Sequence, residues 1–139
     1  GETTAGGLRR LPAALQRYKP QWVLIELGAN DGLRGQSLDQ MQANLEKMVT
    51  LAQQAGAQVV LFEMRIPPNY GKRYAQSFQR RFKDVADASS AKLLPFFLNS
   101  IAAKPEAFQD DGLHPNASGQ PYLLNNVWPK LKPLLQQSQ

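Results

Sequence analysis

His114 is the single histidine of the chain, and it stands in DDGLHPN, three residues after Asp111 and directly before Pro115. A carboxylate beside an imidazole accepts the hydrogen bond from Nδ1–H. That fixes the tautomer and leaves Nε2 to take a proton from a nucleophile. Gly112 permits the tight backbone that such an approach requires, because glycine reaches positive φ without steric cost. Taken by itself, the same D-x-x-H spacing in a Gly/Pro loop equally describes an exposed histidine near an acid. Cysteine is absent, which removes disulfides, thiolate metal sites and a cysteine nucleophile together.

A second group of interest follows the apolar run WVLIEL. There, in GANDGLRG, Asn30 stands among Gly28, Gly32 and Gly35. A side-chain amide there, combined with a backbone N–H, is the donor pair that a developing oxyanion needs. A turn built on local Asn and Asp hydrogen bonds accounts for the same residues. Other chemistries are excluded more firmly. GETTAGGLRRLP has glycine at 1, 6 and 7, but Gly7 stands where a phosphate loop carries lysine, and no strand precedes it. No second histidine and no calcium-loop run offers a common metal site, so neither metal nor cofactor is expected. Asn116-Ala117-Ser118 fits a glycosylation sequon and reads as a turn.

These residues need a frame, and the hydropathy pattern supplies one. Trp22 to Leu27 and Gln58 to Met64 are short apolar runs, as expected of strands buried on both faces of a parallel sheet, and Lys92 to Phe96 is a weaker third. Between them Leu38, Met41, Leu45, Met48 and Ala52 recur at three and four, as do Tyr74, Phe78, Phe82 and Val85. Both gaps therefore predict amphipathic helices. Leu11, Leu15 and Tyr18 predict a short helix with Pro12 in its first turn. Pro121 opens a last one through Leu124, Val127, Trp128 and Leu131, interrupted at Pro129. This alternation predicts a single α/β domain over residues 1–139, a doubly wound parallel sheet sandwiched by helices, with ligands beyond the carboxyl ends of the strands. A flavodoxin-like cofactor binder has the same alternation but needs a phosphate loop that is missing.

The net charge of +5, from 16 basic and 11 acidic residues, is scattered along the chain without interleaved aromatics. It predicts a solvated surface rather than a nucleic-acid partner. No apolar run approaches the roughly 20 residues that span a bilayer, and no signal-peptide pattern opens the chain, which starts without methionine.

The order GETTAGG, GANDG after a strand, and DGLHP near the C-terminus resembles blocks II, III and V of the SGNH hydrolases, the GDSL-like esterases. GLRRLPAAL, IPPNYGKRY and LLPFFL extend the likeness over essentially the whole chain, toward the bacterial thioesterase, lysophospholipase and arylesterase branch. The resemblance implies a three-layer α/β/α sandwich and hydrolysis of acyl esters, acyl thioesters or lysophospholipids without cofactor or metal. It also implies a role in lipid metabolism and a periplasmic or secreted location. By the same resemblance Asp111 and His114 are the acid and base. Gly1 is the backbone oxyanion donor and Asn30 the side-chain donor. The loop from Asp31 to Gln36 moves on substrate binding, and Pro68, Asn69 and Tyr70 border the acyl pocket.

The block that carries the serine nucleophile has no counterpart, and Ser37, Ser77, Ser89, Ser90, Ser100, Ser118 and Ser138 lack its strand-to-helix setting. The expectation is therefore a serine upstream of Gly1 and a chain 1–139 that is inactive alone. Two strands of the family sheet are expected to be missing. That leaves the edge of WVLIEL open to another copy or to the missing segment, and makes the Gly1 nitrogen an amine if the chain starts there. The competing expectation is a non-catalytic α/β module that binds a partner through that edge.

Overall fold

A computed structural model describes residues 3–96, together with the backbone of residues 114–115 and 122–125. In chain order the elements are α1 (Thr4–Tyr18), β1 (Trp22–Ile25), α2 (Ala29–Leu33), α3 (Leu38–Gln54), β2 (Gln58–Phe62), α4 (Lys72–Asp87), β3 (Lys92–Leu94), β4 (His114–Pro115) and β5 (Tyr122–Asn125). A 3-10 turn at Pro68–Tyr70 precedes α4.

The apolar runs become the parallel half of one sheet. β1 pairs with β2 from Trp22 opposite Gln58 to Ile25 opposite Leu61, and β3 lies on the far side of β2. Successive strand residues point to opposite faces. Val23, Ile25, Val59 and Leu61 accordingly share one buried cluster with Leu11 of α1, Met48 of α3, and Phe78 and Phe82 of α4. Trp22, Leu24, Val60 and Phe62, also buried, fall on the opposite face. The three long helices thus cover one side, which for α3 and α4 is what right-handed crossovers between parallel strands require. Phe78 and Phe82 meet edge to face with centroids 5.3 Å apart. On the surface Arg81 of α4 bonds Asp39 of α3 at 2.6 Å, a pair worth at most about 1 kcal/mol.

Three expectations need correction. α1 starts at Thr4, so Pro12 lies well inside the helix rather than in its first turn. Thr3 caps the helix early, its hydroxyl accepting from the Gly6 amide at 3.3 Å. Gly7 lets the extra turns approach β1, since a Cβ there would sit 2.5 Å from Leu27 Cδ1. Second, Tyr122–Asn125 is a strand where a helix through Leu124 was expected. Third, the edge of β1 is not open. β5 pairs antiparallel along it, Trp22 opposite Asn125 and Ile25 opposite Tyr122, and β4 pairs antiparallel with β5. The sheet order is β3-β2-β1-β5-β4, mixed rather than wholly parallel. One physical reason covers both points about β5, because an unpaired edge exposes a row of backbone donors and acceptors, and any segment that reaches it gains by pairing.

Candidate active site

Beyond the carboxyl end of β1 the chain turns at Gly28, with φ of 117°, straight into α2. Only glycine is comfortable there. A Cβ would also meet Phe82 Cζ at 2.8 Å. Where a turn on local Asn and Asp hydrogen bonds was open to GANDG, the segment is helical, with the Gly32 amide donating to the Gly28 carbonyl at 3.0 Å and that of Arg34 to the Asn30 carbonyl at 3.0 Å. Asn30 is the second residue of this helix, half-buried. Tyr74 of α4 donates its hydroxyl to the Gly32 carbonyl at 3.0 Å, which ties α2 to the start of α4.

Asp31 is 3% exposed and accepts two hydrogen bonds from Thr4, one from the amide at 2.9 Å and one from the hydroxyl at 2.6 Å. Asn44 of α3 donates to the Thr4 hydroxyl at 3.1 Å and accepts from Gln40 at 2.9 Å. Asp31, which opens the loop singled out by sequence, is thus joined to two residues that were not, Thr4 and Asn44. A signal for Asn44 existed, since it is a polar residue inside the apolar stripe of α3 between Met41 and Leu45.

Pro68, Asn69 and Tyr70 form the 3-10 turn, and all three are exposed. The turn leads into α4, whose Tyr74 reaches α2, so it lies on the same side of the molecule as Asn30. His114 lies in β4, where its backbone is opposite Leu124, itself opposite Val23 of β1. Gly1, Asp111 and the side chain of His114 lie outside the described residues. Among the described residues no group of three or more His, Cys, Asp or Glu side chains gathers to hold a metal. A cavity of about 340 Å³ lined by Gln58, Ser90 and Lys92 lies at the amino ends of β2 and β3, away from Asn30.

Glu26, between β1 and Gly28, is half-buried, and burial raises its carboxyl above the ordinary 4.5. A raised carboxyl means that the folded state holds the proton more tightly than the unfolded one. Stability contributed this way is complete below 4.5 and is lost as pH rises through the folded value. Glu26→Gln is expected to remove that loss. Urea midpoints of wild type and variant should therefore converge at low pH and diverge in favour of the variant toward neutrality. Parallel midpoints across the range would contradict the assignment.

The chain is similar to known proteins over nearly its whole length. The chain is 50% identical over 135 residues to Esterase TesA of Pseudomonas aeruginosa, with 97% of this chain and 67% of that protein covered. It is 41% identical over 135 residues to "Thioesterase 1/protease 1/lysophospholipase L1" of Escherichia coli K12, covering 97% and 65% respectively. It therefore spans about two thirds of the length of these curated relatives. A solved structure of the psychrotrophic esterase EstA from Pseudoalteromonas sp., inhibited by monoethylphosphonate, superposes with a TM-score of 0.68 at 44% identity, covering 98% of this chain and 68% of that one. Residues 1–121 match the model of the GDSL-like lipase/acylhydrolase family. With matches of this extent on top of the α/β fold, the chain belongs to the GDSL-like lipase/acylhydrolase family.

Proposed function

We infer that the complete protein is a serine hydrolase of acyl esters and thioesters, of esterase, thioesterase or lysophospholipase type. A serine supplied from upstream of Gly1 attacks the acyl carbon while His114 takes its proton and Asp111 orients the imidazole. Asn30 Nδ2 and the Gly1 amide hold the oxyanion, and His114 then returns the proton to the leaving alcohol or thiol. The acyl chain runs past Pro68, Asn69 and Tyr70. A periplasmic or secreted location belongs to this reading on resemblance alone. Among the described residues no helix is long and apolar enough to cross a membrane.

The observation that carries the reading is the place of Asn30, on a helix that leaves the carboxyl end of β1, beside a fully bonded buried carboxylate. In an α/β sheet that end is where ligands are bound, and a half-buried amide on regular backbone is held more narrowly than one on a free loop.

Hydrolysis of a p-nitrophenyl acyl ester tests the reading. The complete protein is expected to turn over, and residues 1–139 alone to leave the ester intact for want of a nucleophile. Turnover by the 139-residue chain itself would overthrow the placement of the serine.

A further inference from the structure

We propose that Asp31 is the positioning residue of the oxyanion hole, acting through a one-way hydrogen-bond relay from Gln40 and Asn44 by way of Thr4. The proposal rests on the reading of Asn30 as an oxyanion donor. Among the described residues the buried polar side chains are Thr4, Asp31 and Asn44, and all three belong to this relay. Burying them costs free energy unless every group is satisfied, and here the directions are dictated. Gln40 Nε2 donates to Asn44 Oδ1, Asn44 Nδ2 to Thr4 Oγ1, and Thr4 Oγ1 to Asp31 Oδ2. The Thr4 amide takes the other carboxylate oxygen.

The relay ends on the residue next to Asn30 and passes through the residue three positions after Gly1. A single carboxylate therefore links the two segments read as oxyanion donors, across 27 residues of sequence. The Gln36 amide, donating to the Asp31 carbonyl at 3.0 Å, closes the far end of α2 onto the same residue.

The polarity makes the carboxylate hard to replace. An asparagine at 31 can still accept from the Thr4 amide, but its NH₂ then faces the Thr4 hydroxyl, which already accepts from Asn44. The hydroxyl proton loses its acceptor, and a short charge-assisted bond is lost with it. Displacements of about 1 Å at a catalytic group cost on the order of 100-fold in rate, so the effect should appear in kcat.

The test is a kinetic double-mutant cycle on the complete protein with a p-nitrophenyl acyl ester. It uses Asp31→Asn, Thr4→Val, Thr4→Ser, Asn30→Ala and the pair Asp31→Asn/Asn30→Ala, all assayed well below the lowest unfolding midpoint. Asp31→Asn and Thr4→Val are expected to lower kcat by about 10- to 100-fold with KM little changed, and Thr4→Ser to stay near wild type. Once Asn30 is already alanine, Asp31→Asn should cost at most about threefold more. An undiminished cost in that background, a loss confined to KM, or wild-type kinetics for Thr4→Val would overturn the proposal while leaving Asn30 as donor. Wild-type kinetics for Asn30→Ala would instead remove the reading on which it rests. Should Asp31→Asn not fold, Thr4→Val against Thr4→Ser, each with and without Asn30, decides the same question.

Discussion

His114→Ala in the complete protein is expected to lower kcat by on the order of 10⁴- to 10⁶-fold, about 5.5 to 8 kcal/mol of transition-state stabilisation. Residues 1–139 hold one histidine, so no neighbour within them can take over as base. A serine hydroxyl left to water loses nearly all of its nucleophilicity at neutral pH. KM should move little, because the imidazole acts on a proton in flight and not on the acyl chain. The pH profile of kcat/KM should also lose the limb that the base supplies. Steady-state kinetics with an activated ester check both points, and turnover retained after His114→Ala would end the assignment of a base.

Asn30→Ala is expected to cost about 100- to 1,000-fold in kcat, roughly 2.7 to 4 kcal/mol, the usual consequence of deleting one oxyanion donor. Its effect should be smaller than that of His114→Ala, since the Gly1 amide still donates. It should fall on kcat rather than KM, because the charge it serves develops only in the transition state. Alanine is the best helix former, and Asp31 keeps its two bonds to Thr4, so α2 should persist and the unfolding midpoint should fall far less than kcat. Equal losses in kcat and in stability would mean that Asn30 supports the fold instead.

How far the sequence discloses this molecule depends on whether each decision is local. WVLIEL and QVVLFEM are apolar in a way that only strands buried on two faces tolerate, and they became β1 and β2. The stripes Met41-Leu45-Met48 and Phe78-Phe82-Val85 became the inner faces of α3 and α4 for the same kind of reason. The start of α1 was hidden because GETTAGG carries three glycines, which read as a loop. Gly7 is there for a close approach to Leu27, a fact of packing. β5 was hidden more deeply. Leu124, Val127, Trp128 and Leu131 have helical spacing, and Tyr122–Asn125 is extended because β1 offers it a backbone edge from a hundred residues away.

The candidate site divides along the same line. The place of Asn30 beyond the carboxyl end of a strand was legible from the apolar run before it, and the motif order pointed to the family that residues 1–121 match. The carboxylate behind it was not, because Asp31 and Thr4 are 27 residues apart and neither is unusual alone. Asn44 inside an apolar stripe was the one local sign that a polar group had been built into the core.

The most direct test is a structure of the complete protein carrying a phosphonate on its nucleophile. The account expects the adduct on a serine ahead of Gly1, with the phosphonyl oxygen about 2.7–3.1 Å from Asn30 Nδ2 and His114 within hydrogen-bonding reach of the serine oxygen. An adduct on any serine within residues 1–139, or one whose oxygen is held with Asn30 turned away, would contradict it.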